Sequence, residues 1–169
     1  MSGSTQDGTA PDGPGMDGST QDGTGSDGTV ERRDVGLDLA LTVLTGVRAE
    51  AARAGVALGM AVVDTGGGLV ASARMDGAQL VAVALATDKA FTAVAFGAPT
   101  EAWAESTQPG GSDWGMTTTV GGRLVVFAGG LPLRVDGRVV GAVGVSGAAA
   151  HVDRACAAAG LRAAGLAEG

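Results

Sequence analysis

Two glycine loops constrain this chain more than any other feature. Thr65-Gly66-Gly67-Gly68 separates the apolar run 60–64 from 69–74, and Asp136-Gly137 separates 131–135 from 138–145. Glycine and Asp-Gly supply the positive φ that tight hairpin turns require. Loops this short join only antiparallel strands, because a parallel pair needs a crossover of about a dozen residues or more. Apolar residues at helical spacing mark residues 34–54 as a helix, with Gly55 as its stop, and 79–96 as a second. A short third helix is expected from Pro99, ending before Pro109-Gly110-Gly111, and an Ala-rich helix at about 149–164 closes the chain. The fold class read from this order is α/β (α+β): a central antiparallel β-sheet packed by helices.

Composition says how such layers must pack. The chain has 31 Gly, 2 Trp, 3 Phe and no Tyr, so close contact has to come from small side chains and glycine. A single cysteine, Cys156, excludes an internal disulfide, and no Cys/His cluster has zinc-site spacing, so no metal is expected.

The net charge of −7 is concentrated at one end. Residues 1–29 hold five Asp and no Lys or Arg, with an Asp-Gly pair every five residues from Asp7-Gly8 to Asp27-Gly28. One carboxylate per five residues, with no apolar anchor, cannot gather the ligands that calcium takes. Residues 1–29 therefore read as a disordered tail and 30–169 as one folded domain. With its acids and bases nearly balanced, that domain has no basic stripe for phosphates, so nucleic acid is not an expected partner, and neither is a membrane. No basic, apolar leader and no membrane-length apolar run is seen, which reads as a cytoplasmic protein.

Two strings imitate known motifs. Gly141-Ala142-Val143-Gly144-Val145-Ser146-Gly147 has dinucleotide-loop glycines at the wrong spacing and lies in a hairpin strand rather than a βαβ unit. Gly144 to Ala148 falls one residue short of a nucleophile elbow, and its nearest histidine follows too soon. Ser146 or Gly147 is instead expected to end the strand and cap the last helix.

The polar residues worth weighing are few. Lys89, the only lysine, sits among Ala82, Ala86, Ala93 and Phe96, a face too apolar for an ordinary solvated ammonium. Its ammonium either snorkels outward, pairs with an acid from the last hairpin or helix, such as Asp153, or from another subunit, or faces a bound anion. His151, the only histidine, falls in the first turn of the last helix, where the helix dipole favours the neutral imidazole that a general base needs.

Six strings in register resemble the GlcG/HbpS family: Val62-Val63-Asp64 with its glycines, Ala73-Arg74-Met75-Asp76-Gly77-Ala78, Lys89-Ala90 with Thr92-Ala93, Pro99-Thr100, Gly129-Gly130 with Pro132, and Asp136-Gly137 through Gly147 with Asp153 following. The resemblance covers about residues 35–165. It implies a profilin-like fold, assembly as a homodimer or larger homo-oligomer, and haem or tetrapyrrole binding, the family including haem-binding proteins and the C-terminal domain of PduO-type cobalamin adenosyltransferases. Arg74, Asp76, Lys89 and Asp153 match the family pattern and become candidates for a shared polar pocket.

Two functions follow as expectations. In the first, a small-ligand-binding protein takes haem as cofactor or cargo, with Lys89, Arg74, Asp153, Met75 and Met116 as ligand-binding residues. In the second, a cofactor-independent enzyme acts on a small organic acid, with His151 and Asp76 as acid–base pair and Lys89 or Arg74 holding the anion.

Overall fold

A computed structural model describes residues 27–168 of the 169-residue chain. The expected tail therefore lies, up to residue 26, outside the described residues. Two compact units divide the chain after Glu31, and everything below concerns the second.

Its elements are α1 (Leu37–Ala54), β1 (Gly59–Val63), β2 (Leu69–Arg74), α2 (Ala82–Phe96), β3 (Gly130–Val135), β4 (Arg138–Ser146) and α3 (Ala150–Ala163). The four strands form one sheet in the order β2-β1-β4-β3, every neighbouring pair antiparallel. Both hairpins form as the glycine loops require. Asp136 (φ 52°) and Gly137 (φ 76°) both take the left-handed conformation of a two-residue turn.

The sheet separates two helical layers of different character. On one face, Met60, Val62, Leu131, Leu133, Val143 and Val145 pack with Val43, Val47 and Ala51 of α1 and Cys156, Ala157 and Leu161 of α3. On the other, α2 lies against Val63 and Ala142 through Ala90 and Ala93. That second layer is thin because the sheet has almost no side chain there: a Cβ built on Gly144 would sit 1.9 Å from the Ala86 carbonyl oxygen. Shortage of large side chains is thus matched by backbone-to-backbone approach.

Three local expectations are corrected. α2 starts at Ala82 rather than residue 79, because 75–82 is spent on turns, Ala78 N–H bonding to Met75 O and Ala82 N–H to Gln79 O. The helix expected after Pro99 is a four-residue 3-10 turn, Thr100–Trp103. Neither Ser146 nor Gly147 caps α3; its first turn is closed by Asp153, whose Oδ1 accepts the Ala148 N–H at 3.0 Å.

Cys156 is fully buried between α1 and α3, and burial pushes its thiol up to about 11. It stays protonated, and so unreactive, at neutral pH.

Candidate functional site

The polar residues singled out by sequence fall into two places. The first is a buried ion pair. Lys89, midway along α2, is 0 % exposed. Its Nζ donates to Asp153 Oδ2 at 2.9 Å and to the Val145 carbonyl at 2.9 Å, and lies 4.8 Å from the Phe127 ring centre. Burial pulls the lysine pKa below its ordinary value, against the opposing effect of the hydrogen bond to Asp153. Gly129 makes room for the ammonium: at φ +126° it passes so close that a Cβ would stand 2.7 Å from Nζ. The pair therefore ties α2 to the end of β4 and to the first turn of α3. Two of its three N–H donors are bonded and the Phe127 ring lies beside it, so Lys89 is closed off from solvent.

The second place is open to solvent. β1 begins, and β2 and β4 end, at one edge of the sheet, where Gly59 is paired with both Arg74 and Ser146. β2 leaves that edge by a turn anchored by the Met75 N–H on the Leu58 carbonyl (2.9 Å), while α1 runs over the same corner. The result is a cleft of about 430 Å³ lined by Arg48 of α1, Met60 of β1, Ala73 and Arg74 of β2, and Met75 and Asp76 of the turn. Met60 is its buried floor, at 1 % exposure. Met75 is half-buried at the wall, and Arg48, Arg74 and Asp76 are exposed at the mouth. The cleft has a size ordinary for small-molecule sites.

Arg74, Met75 and Asp76 are thus brought together, whereas Lys89 and Asp153 form their own enclosed pair. His151 is exposed at the start of α3 and is not among the residues lining the cleft. Met116 sits in a separate 3-10 turn, Met116–Thr118, of the long connection between α2 and β3. Arg48 was not anticipated: an exposed arginine on an amphipathic helix carries no signal of its own.

Two other concavities are less equipped. A groove of about 450 Å³ beside α1, lined by Leu41, Thr42, Thr45, Gly46, Ala49 and Ala163, has no charged side chain. The other, of about 620 Å³ around residues 102–111, has Glu105 as its only charge. Among the described residues no group of three or more His, Cys, Asp or Glu could hold a metal ion, and no helix is long and apolar enough to cross a membrane.

Comparison with known proteins is consistent in sequence and structure. The family model of haem-degrading HbpS-like proteins matches residues 35–162. Over 120 residues the chain is 37% identical to an uncharacterised 15.0 kDa protein of the dhaT-dhaS intergenic region in Citrobacter freundii, covering 71% of this chain and 84% of that one. Among solved structures, the Klebsiella pneumoniae protein ORFY superposes with a TM-score of 0.80 at 31% identity, over 83% of this chain and 97% of that one. A PduOC–haem complex superposes with a TM-score of 0.76 at 28% identity, over 80% and 98% respectively.

Proposed function

The chain belongs to the HbpS-like family of haem-degrading proteins, and from that premise we propose that it is a small-ligand-binding protein whose ligand is haem or a related tetrapyrrole. The observation that carries the reading is the cleft itself, where Arg74 stands at the mouth of a pocket floored by Met60 and walled by Ala73 and Met75. A tetrapyrrole needs an apolar surface for its ring, a cation for its propionates and, when metallated, a soft or imidazole donor. The lining supplies the cation and, from Ala73 and Met75, a small apolar patch on which a ring edge could rest, and its one partly exposed soft donor is the Met75 thioether. Bound haem would supply iron redox chemistry; the chain would supply binding, orientation and a low-dielectric wall. The similarity to a PduOC–haem complex supports the same ligand class.

Acid–base catalysis by Asp76 and His151 is the second reading, but the cleft contains Asp76 without His151. Titration of the purified chain with haemin decides between them. A Soret shift saturating near one equivalent is expected, and Arg74→Gln should weaken binding at least tenfold with an unchanged melting temperature. A flat titration removes haem and leaves the enzyme.

On the same reading, residues 30–169 are the functional unit and act as a cytoplasmic homo-oligomer, with 1–29 dispensable. The support is the apolar surface left at Leu37, Leu69, Leu80 and Val81, each more than half exposed. Light scattering should report at least a dimer for both the full chain and one starting at residue 30, with equal melting temperatures. A monomer at micromolar concentration, or a drop of several degrees on truncation, refutes the corresponding half.

A further inference from the structure

We propose that the cleft recognises its ligand through two carboxylates and not through a metal, so that its ligand class is the tetrapyrrole dicarboxylate whether or not iron is present. This rests on the reading of the cleft as the ligand site and goes beyond it by naming what is recognised.

The first observation is where the unpaired cations lie. Arg33, Arg53, Arg123, Arg154 and Arg162 each pair with a carboxylate, Arg134 donates to the Gly97 carbonyl, and Arg138 is engaged as well. Within the helices and strands, Arg48 and Arg74 are the two arginines with no hydrogen-bonded partner among the described residues. They belong to different elements, α1 and β2, yet line one cleft. Arg32, in the segment before α1, has no hydrogen-bonded partner among the described residues either, but of these three only Arg48 and Arg74 share a cleft.

The second observation is what lies with them. Met60, Ala73 and Met75 give the cleft an apolar lining, and Asp76 is its only carboxylate. Two guanidinia against one acid leave a positive site. Each guanidinium presents paired N–H donors in the fork that matches a carboxylate, and such charge-assisted bidentate pairs are roughly twice as strong as neutral ones. An apolar body bearing two carboxylates satisfies all of these groups at once.

The third observation concerns the metal. The lining has no imidazole, thiolate or phenolate. Its sulfurs are thioethers, one of them the buried floor. His151 and Cys156, the imidazole and thiol of the chain, lie on α3, outside the cleft. Nothing in the lining ranks as a strong iron ligand, so the carboxylates carry the recognition.

The test uses three probes on the full-length chain, followed by absorbance and fluorescence: haemin, metal-free protoporphyrin IX, and protoporphyrin IX dimethyl ester, which keeps the ring and removes both charges. Haemin and protoporphyrin IX should bind within about threefold of each other, and the diester at least tenfold more weakly. Arg48→Gln and Arg74→Gln should each weaken both acids at least tenfold, while Arg53→Gln, which removes a guanidinium paired with Glu50 outside the cleft, leaves both within about twofold. Binding of haemin without protoporphyrin IX, or equal weakening in Arg53→Gln, overturns the proposal and leaves haem binding standing. Diester binding equal to that of the acid overturns carboxylate recognition alone. Failure of all three probes removes the underlying reading as well.

Discussion

Replacing Lys89 by Met is expected to lower the melting temperature by roughly 10–15 °C. The exchange keeps the length of the stem and deletes the charge, so the change isolates what the ammonium does. Asp153, 2 % exposed, would keep its Ala148 N–H bond but lose its counter-ion, and the Val145 carbonyl would lose a donor. Breaking a buried pair by removing one partner costs about 3–5 kcal/mol, chiefly because the remaining charge stays buried. For a domain of this length that corresponds to the shift stated. Adding Asp153→Asn to the variant removes the orphaned charge while an amide oxygen can still accept from Ala148, so the double substitution should recover at least half of the loss. Thermal unfolding followed by circular dichroism on the four proteins of the cycle gives the coupling directly. A single variant that melts within about 3 °C of the parent, combined with tenfold weaker ligand binding, would return Lys89 to the ligand site.

That Lys89 needs a partner is legible in the sequence alone, because a lone lysine among alanines at helical spacing has few physical options. Which acid it meets is not, since Asp153 is 64 positions away and the contact depends on how β4 delivers the chain to α3. The hairpins and three long helices are readable for the opposite reason: turn glycines and apolar periodicity are local signals. Where local signals are weak, so is the reading. Residues 109–123, with no apolar period and many Gly and Thr, show no element pattern in sequence and form only short 3-10 turns. The cleft is half legible: Arg74, Met75 and Asp76 are consecutive and mark a strand end, whereas Arg48 joins them only because α1 crosses that corner of the sheet. Tertiary placement of an exposed arginine leaves no trace in its own helix pattern.

The substitution Gly144→Ala is expected to be the most damaging single methyl that can be added to the sheet, lowering stability by at least about 3 kcal/mol or abolishing soluble expression. Nothing about the backbone at this position demands glycine, as its φ lies outside the left-handed region. Space alone does: the new Cβ would lie 1.9 Å from the Ala86 carbonyl oxygen and 2.6 Å from the Ala90 nitrogen. Both obstacles are main chain, so no rotamer change relieves them, and the residues of α2 facing the sheet are already alanines with nothing left to shorten. Relief requires α2 to lift from the sheet by more than an ångström. That movement would open the contacts of Ala90 and Ala93 with Val63 and Ala142 and would draw Lys89, less than a turn beyond Ala86, away from Asp153 and Val145. The damage therefore propagates from a thin apolar layer to a buried ion pair. Gly36→Ala provides the control, because it makes the same chemical change where no atom lies within 4 Å and φ is −80°; as Gly36 is the N-cap of α1, where alanine is the poorer residue, it should melt within about 5 °C of the parent. Equal melting of Gly144→Ala and the parent would mean that α2 stands further from the sheet than the 1.9 Å contact requires.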